Sequence, residues 1–220
     1  QRKVVRLYLK QLEIGPLQNF VYLVGSLDTR EAVVVDPAWD VPRILEAAAQ
    51  DEMRINRVLV THTHFDHING VEELVRKTDA QVFVHKKESA ALPLSKTNLH
   101  LIEGGYSFEM GGLTFSFLHT PGHTPGSSCF TVGDRLIAGD TLFIGGCGRC
   151  DLPGGDPEAL YQSLARLRQM GDRLILHPGH NYAPHPSASM GEEKSRNPFL
   201  KADSLEQFLD LVGAVKKPRG

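Results

Sequence analysis

Four side chains with metal-binding groups follow directly after a strongly apolar segment of this sequence. A Val-Leu-Val stretch typical of a buried strand continues into Thr-His-Thr-His-Phe-Asp-His at residues 61–67, before a helical pattern begins. His62 and His64 are two positions apart on extended chain and therefore point to the same side, while Asp66 and His67 follow at the turn into the helix. Imidazole and carboxylate groups suit Zn²⁺, Mn²⁺ or Fe²⁺. The segment predicts a metal site at one end of a strand.

Three further residues of the same kind occur later in the chain. Each lies just past a predicted strand and beside a glycine, and they are His123, Asp140 and His180. A single residue of this type is usually a capping or solvated group. Seven of them in the same setting make that explanation weak and favour one metal centre.

The distribution of apolar residues predicts an α/β fold. Segments rich in β-branched and aromatic residues predict strands at 4–10, 20–24, 32–36, 57–61, 81–84, 113–118, 127–132, 135–138 and 174–176. Helical spacing predicts helices at 41–52, 68–75, 157–170 and 205–212. Because strands and helices alternate and then repeat, we expect two sheets packed face to face with helices outside.

Length and charge restrict the classes of protein. The 220 residues suit one domain, 1–220, with a short helical tail at its C-terminal end. With 24 Lys and Arg against 26 Asp and Glu, the net charge of −2 gives no positive field for nucleic acid. Residues 1–14 lack the apolar stretch of a signal peptide or membrane span, although a leader trimmed before Gln1 stays open. Three cysteines form no disulfide framework, so we expect a cytoplasmic protein.

The separated motifs together resemble the metallo-β-lactamase superfamily. They are the His-x-His-x-Asp-His run, the later Gly-His, the Gly-Asp and the final Gly-His, and the resemblance extends from about Gly25 to Tyr182. It implies a four-layer αββα sandwich of two mixed β-sheets flanked by helices, with the site at the edge between the sheets. It also implies the ligand set: His62, His64 and His123 for one metal, Asp66, His67 and His180 for the other, and Asp140 between them.

The implied centre is suited to hydrolysis. Two divalent cations about 3.5–4 Å apart can share a water and lower its pKa to about 7, which supplies a bridging hydroxide. Zn²⁺ is the expected ion, with iron or manganese as alternatives. Asp140 and Asp66 are the candidate catalytic carboxylates. Asp66 either orients the hydroxide and receives a proton, or is only a ligand.

Residues 139–149 resemble two branches of the superfamily: glyoxalase II, which hydrolyses S-acylglutathione thioesters, and the iron-dependent persulfide dioxygenases. In both, the resemblance places Arg149 and Tyr182 beside a small thiol-derived substrate, a guanidinium for a carboxylate and a phenol for a polar group. An ordinary surface or packing role is the alternative for each. Phe65, at a position where the dioxygenases have a small residue, and the complete set of seven ligands favour hydrolysis. Residues 151–156 are closer to the dioxygenases and to short glyoxalase-like proteins.

Three hypotheses follow. The first is a dinuclear hydrolase of a thioester or ester, and the second is a persulfide dioxygenase with one iron held by His62, His123 and Asp140. The third is a metal-binding domain without activity, which is disfavoured because structural zinc sites are four-coordinate and closed. Only 38 residues follow Tyr182, fewer than the helical glutathione-binding domain of full-length glyoxalase II needs, so the substrate is either a glutathione thioester or another acyl thioester or ester.

Overall fold

The first half of the chain forms a six-stranded mixed sheet. In the computed structural model, which describes residues 4–215, its strands lie in chain order as β1 (Leu7–Ile14), β2 (Asn19–Ser26), β3 (Glu31–Val35), β4 (Arg54–Leu59), β5 (Gln81–His85) and β6 (Leu99–Ile102). The first three are antiparallel, and β3 to β6 are parallel neighbours. Parallel neighbours require crossover connections. These contain α1 (Val41–Gln50), α2 (Phe65–Ile68), α3 (Val71–Thr78) and a 3₁₀ helix at Lys86–Ala91.

The second half forms another six-stranded mixed sheet. Its first four strands are β7 (Ser107–Met110), β8 (Leu113–His119), β9 (Ser128–Val132) and β10 (Arg135–Gly139). A small hairpin of β11 (Leu142–Phe143) and β12 (Gly146–Cys147) follows, then α4 (Pro157–Arg168), β13 (Ile175–Pro178) and β14 (Ala188–Ser189). The spatial order is β14-β13-β10-β9-β8-β7, with β13 parallel to β10. Both sheets therefore contain parallel and antiparallel pairs.

Three separate apolar cores give the fold its four layers. Alternate residues of β3 enter different cores: Val33 packs in the core between the two sheets, and Val34 packs beneath α1 and α3. Phe115 and Phe130 of the second sheet fill the same central core. A third core lies between the outer face of the second sheet and its helices. Because the central strands are buried on both faces, they appear as continuous apolar runs in the sequence. The predicted αββα sandwich is confirmed.

Three short helices end the described chain. They are α5 (Met190–Arg196), α6 (Pro198–Lys201) and α7 (Leu205–Val212). Met190, Leu200 and Phe208 enter the third core, so these helices cover the outer face of the second sheet. No helix within residues 4–215 is long and apolar enough to cross a membrane.

Some predicted boundaries were wrong. The predicted helix at 68–75 is two helices, α2 and α3, separated where the backbone N–H of Gly70 turns to donate to Pro37 O at 3.1 Å. The first strand begins at Leu7 and not at residue 4, and β4 begins three residues earlier than predicted. The edge strands β6 and β7 were missed, because they are short and partly exposed and so lack an apolar pattern.

We expect the central core to carry a large part of the stability. Replacement of the buried Phe130 by alanine should lower the free energy of unfolding by about 3–5 kcal/mol, because a cavity remains between the sheets. The exposed Leu101 offers the control: Leu101→Ala should change it by less than about 1 kcal/mol. Denaturant unfolding followed by circular dichroism measures both. Equal effects of the two substitutions would contradict the assignment of Phe130 to a central core.

Candidate metal centre

All seven predicted ligands lie together at one edge of the sandwich, where strands of both sheets end. His62 follows β4, His64 is the N-cap of α2, and Asp66 and His67 lie within α2. From the second sheet come His123 after β8, Asp140 after β10 and His180 after β13. The apolar strands thus deliver polar side chains to a common edge, although the residues are far apart in the sequence.

The first group of ligands consists of His62, His64 and His123. Each offers a ring nitrogen, and the three nitrogens lie within 4.8 Å of one another. Within residues 4–215, the Nε2 atoms of His62 and His123 are buried and have no hydrogen-bond partner. Buried polar atoms are normally paired, because leaving one unpaired costs about 1–3 kcal/mol. Two convergent unpaired nitrogens fit the ligand set of a metal ion.

The second group consists of Asp66, His67 and His180, whose ligand atoms also lie within 4.8 Å of one another. Asp140 lies between the groups. Its Oδ1 is 3.3 Å from Nε2 of His67, and its Oδ2 is 3.2 Å from Nε2 of His180. The same Oδ2 is 3.5 Å from Nε2 of His123 and 3.7 Å from that of His62. One carboxylate therefore faces both groups.

Four of the histidines are oriented through their other ring nitrogen. The Nδ1 atoms pair as His62 with Thr61 Oγ1 at 3.0 Å, His67 with Asp36 Oδ2 at 2.8 Å, His123 with Arg149 O at 2.6 Å, and His180 with Leu17 O at 2.9 Å. Carbonyl and carboxylate oxygens only accept, so Nδ1 carries the hydrogen where they are the partners. The Nε2 atoms are left to face Asp140. This arrangement fixes both ring orientation and tautomer.

Asp36 organises this network, and the sequence reading missed it. It is buried at the end of β3, and its carboxylate accepts hydrogen bonds from the backbone N–H of Thr61 at 2.7 Å, from Thr61 Oγ1 at 2.5 Å and from His67 Nδ1. Asp36 lies close enough to His62 and His67 to be a ligand itself. Its three hydrogen bonds instead support an orienting role. In the sequence, the available signal for Asp36 was its position at the end of a predicted buried strand, directly before a proline.

Two asparagines far from the motifs were also missed. Asn19 Nδ2 donates to Asp66 Oδ2 at 3.0 Å and so fixes that carboxylate. Asn197 is fully buried and donates to Phe143 O and Gly146 O, both at 3.0 Å. It thereby ties the β11–β12 hairpin, which follows Asp140, to the helical tail. No local pattern in the sequence identifies either contact, because each joins distant segments.

A close approach at β13 brings His180 to the centre. A Cβ atom added to Gly179 would lie 2.4 Å from Asp140 Oδ1, so only glycine permits this spacing. Tyr22 supports the same strand end, because its buried hydroxyl donates to Pro178 O at 2.5 Å. We therefore interpret the Gly-His motif as a packing requirement followed by a candidate ligand.

The two predicted substrate-binding residues each contact a candidate ligand, Tyr182 through its ring and Arg149 through its backbone carbonyl. The Tyr182 ring stacks on His180 with 4.7 Å between ring centroids and more than half of the residue exposed. The exposed Arg149 side chain pairs with Asp151 through two contacts, Nε to Oδ1 at 2.9 Å and the terminal nitrogen to Oδ2 at 3.0 Å. The backbone carbonyl of Arg149 orients His123. The substrate-binding roles of both side chains stay predictions.

Burial and neighbouring charges shift the pKa values of the side chains at the centre. Burial opposes charge on His67, but Asp140 and Asp36 outweigh it and hold the pKa of His67 well above its usual range. Burial acts likewise on His180, but hydrogen bonds with Asp140 and Asp66 raise its pKa to about 9. Burial opposes ionisation of Asp66, yet hydrogen bonding with His180 and the charge of His67 lower its pKa to about 2. Burial and neighbouring imidazoles lower the pKa of His62.

We expect metal binding to release protons. At pH 7 the raised pKa values of His67 and His180 keep one proton between their Nε2 atoms, which are 3.2 Å apart and have room for only one hydrogen. Metal ligation requires neutral imidazoles, so Zn²⁺ binding to metal-free protein should release about one proton per chain from this pair. The number should fall as the pH rises above the raised pKa values of the pair, which is about 9 for His180, because the proton is then lost before the metal binds. Isothermal titration calorimetry with Zn²⁺, repeated in buffers of different ionisation enthalpy, measures the number of protons released. A count independent of pH would contradict this account.

The comparisons with known proteins agree with the geometry. Residues 14–180 match the family model of the metallo-beta-lactamase superfamily. The probable polyketide biosynthesis zinc-dependent hydrolase PksB of Bacillus subtilis is 30% identical over 192 residues, which cover 87% of this chain and 85% of the relative. The hydroxyacylglutathione hydrolase of Shewanella halifaxensis is 31% identical over 248 residues, with 94% and 93% covered.

Relatives with a different named activity are equally similar. The human mitochondrial persulfide dioxygenase ETHE1 is 32% identical over 205 residues, which cover 91% of this chain and 78% of the relative. The crystal structure of ETHE1 from Myxococcus xanthus has a TM-score of 0.85 and 34% identity, and covers 96% of this chain and 92% of that one. Since the family model spans more than half of the sequence, this chain belongs to the metallo-β-lactamase superfamily.

Proposed function

We propose that this protein hydrolyses a small acyl thioester or ester and uses two divalent metal ions, with Zn²⁺ as the expected ion. The observation that carries the proposal is the position of Asp140, whose carboxylate faces two separate groups of three ligands. Seven nitrogen and oxygen donors exceed what one ion needs. The relatives named as a zinc-dependent hydrolase and a hydroxyacylglutathione hydrolase support the same reaction class.

In this proposal, His62, His64 and His123 would hold one ion, Asp66, His67 and His180 would hold the other, and Asp140 would contact both. When bound, such a pair of ions polarises a carbonyl group and makes water a nucleophile at neutral pH. The chain itself supplies a fixed hydrogen-bond acceptor next to them. Asp66 is partly exposed, oriented by Asn19 and kept ionised at neutral pH by its lowered pKa, so its carboxylate can accept a hydrogen bond from the attacking water and orient it.

Two side chains are suited to bind the thiol part of the substrate. Burial, with the charges of Asp140 and Asp66, raises the pKa of Tyr182. Its phenol therefore stays protonated and can donate a hydrogen bond beside the centre. The exposed guanidinium of Arg149 already binds one carboxylate, that of Asp151, in two-point geometry. A carboxylate of an anionic substrate could bind Arg149 in the same way by displacing Asp151.

A cytoplasmic location is part of the proposal. Cys129, Cys147 and Cys150 are all free. Burial raises the pKa of Cys129 to about 11 and, with the charge of Cys150, that of Cys147 to about 12, so both stay thiols at neutral pH. Free thiols of this kind persist in a reducing compartment.

A persulfide dioxygenase is the second candidate, favoured by the similarity to the human and Myxococcus xanthus proteins. In that case His62, His123 and Asp140 would hold one iron. The two candidates differ in metal content and in oxygen consumption. Protein purified without added metal should be analysed for its elements and then tested with acyl thioesters and with glutathione persulfide. Two ions per chain and thiol release without oxygen uptake support the hydrolase. One iron and oxygen uptake would overturn it.

Asp140→Ala should abolish hydrolysis and lower metal content, because it removes the carboxylate that faces both groups of ligands. We expect a loss of several orders of magnitude in kcat. Asp203→Ala is the control, since that carboxyl group is highly exposed between α6 and α7, and it should leave both quantities unchanged. If Asp140→Ala kept more than a tenth of the rate, the barrier would have changed by less than about 1.4 kcal/mol, which a bridging ligand excludes.

Arg149→Ala should raise KM more than it lowers kcat for an anionic thioester. A guanidinium that binds a remote carboxylate stabilises ground state and transition state alike. The backbone carbonyl that orients His123 remains in the variant, so metal content should not change. An uncharged thioester is the control and should be hydrolysed with the wild-type KM. Equal losses for both substrates would show that Arg149 has a structural role.

A further inference from the structure

Three large apolar side chains lie exposed along one side of the metal centre. They form what we term the apolar strip: Leu17 (48% exposed), Trp39 (36%) and Phe65 (72%). Each is tied to a candidate ligand. The carbonyl of Leu17 orients His180, Trp39 binds Asn19, which orients Asp66, and Phe65 lies between His64 and Asp66 in the chain. Clustered exposed apolar surface of this kind marks a binding site.

The fold holds Trp39 rigidly at this surface. Its indole Nε1 donates to Asn19 Oδ1 at 3.0 Å, and its backbone N–H donates to Asn69 Oδ1 at 2.6 Å. The indole packs directly on the backbone of Gly15, where an added Cβ would lie 2.3 Å from the ring. The residue also has a φ of 67°, in the left-handed region that non-glycine residues rarely occupy. A side chain that only covered the core would not need such fixation while remaining exposed.

An apolar groove continues from the strip. Phe65 contacts Trp39 edge to face, at 5.9 Å between ring centroids, and also lines a cavity of about 280 Å³. The other apolar lining residues, which with Phe65 form what we term the side groove, are Ile68, Val71, Leu92, Pro93 and Leu94. Only Asn69 and Glu72 add polar groups to the lining. The groove thus begins next to the ligands His64 and Asp66 and leads away along an apolar surface.

Polar groups also border the centre. The phenol of Tyr182 stacks on His180, and the ion pair of Arg149 with Asp151 belongs to the segment whose carbonyl binds His123. These groups are suited to the polar thiol part of a thioester. The side groove, which begins at Phe65 between His64 and Asp66, offers apolar surface for its acyl part.

Because this apolar surface adjoins the candidate ligands, we propose that the side groove and the apolar strip bind the acyl chain of the substrate, so that the enzyme acts on medium-chain acyl thioesters. The inference rests on the proposed hydrolase function and names its substrate class. An apolar wall stabilises each added methylene of an acyl chain, but it offers no hydrogen-bond partner for the hydroxyl of a short hydroxyacyl group. Complete burial of one methylene corresponds to roughly a fourfold gain in affinity, so half-burial in an open groove gives about twofold.

Binding can be measured without catalysis, because Trp39 is the only tryptophan of the chain. The metal-loaded protein should be titrated with butanoate, hexanoate and octanoate while Trp39 fluorescence is recorded. We expect Kd to fall about twofold per methylene, or roughly 16-fold from butanoate to octanoate. Phe65→Ala should reduce this ratio to less than about fourfold. Leu101→Ala removes another exposed apolar side chain, on β6 and outside the groove lining, and should leave the ratio unchanged.

Kinetics with N-acetylcysteamine thioesters provides the second measurement. We expect kcat/KM to rise about 16-fold from acetyl to hexanoyl in the wild type and Leu101→Ala, and distinctly less in Phe65→Ala. Equal cleavage rates for all chain lengths, together with equal carboxylate affinities, would contradict acyl-chain binding in the side groove. They would not contradict the proposed hydrolase function. Failure to cleave any thioester would overturn the hydrolase and the acyl assignment with it. The wild type could instead prove to be a dimer that Phe65→Ala dissociates, with the ratio of kcat/KM between chain lengths unchanged. That result would contradict acyl-chain binding and identify the apolar surface as a self-association surface.

Discussion

The carboxylate of Asp36 connects the fold to the metal centre. It lies where β3 ends, and its hydrogen bonds from Thr61 hold the end of the neighbouring strand β4 in register. Through His67 directly, and through the Thr61 hydroxyl to His62, the same carboxylate orients one imidazole of each ligand group. Because these interactions are buried, their loss would leave unpaired polar groups in an apolar surrounding, which is costly. The pairing of β3 with β4 therefore fixes the relative positions of His62 and His67.

The parts of this structure that follow from local sequence were predictable. Continuous apolar runs such as those of β3 and β4 predicted the buried strands, and the seven polar residues after such runs predicted the candidate ligands. Orientation was not predictable, because it depends on contacts between distant segments. His180 is hydrogen-bonded to the carbonyl of Leu17, 163 positions away, and Asp66 accepts a hydrogen bond from Asn19, 47 positions away. The edge strand β6 was missed for a related reason: half of its residues are exposed, so pairing with β5 and not apolar content defines it.

The helical tail supports the candidate site through contacts that its sequence does not predict. Glu193 is buried and accepts a hydrogen bond from the backbone N–H of Gly145 at 3.0 Å and another from Asn197 at 2.9 Å. Asn197 in turn holds the hairpin whose Phe143 ring contacts both His180 and Tyr182. The tail thus stabilises the β11–β12 hairpin, which contacts His180 and Tyr182 at the site. A change in these helices would act through Phe143 on the positions of both His180 and Tyr182 without replacing a candidate ligand.

The reaction depends on more than the candidate ligands. Relatives of similar identity are named as hydrolases and as a persulfide dioxygenase, so membership of the superfamily leaves both chemistries open to the same fold. In this chain, Asp140 faces four imidazole nitrogens at 3.2–3.7 Å, a distribution that fits the proposed two-metal hydrolase. The exposed side chains around the centre include Trp39, Phe65 and Tyr182. Since binding energy from remote substrate groups orients the reacting bond, we expect exposed side chains of this kind, more than the buried candidate ligands, to set the substrate preference.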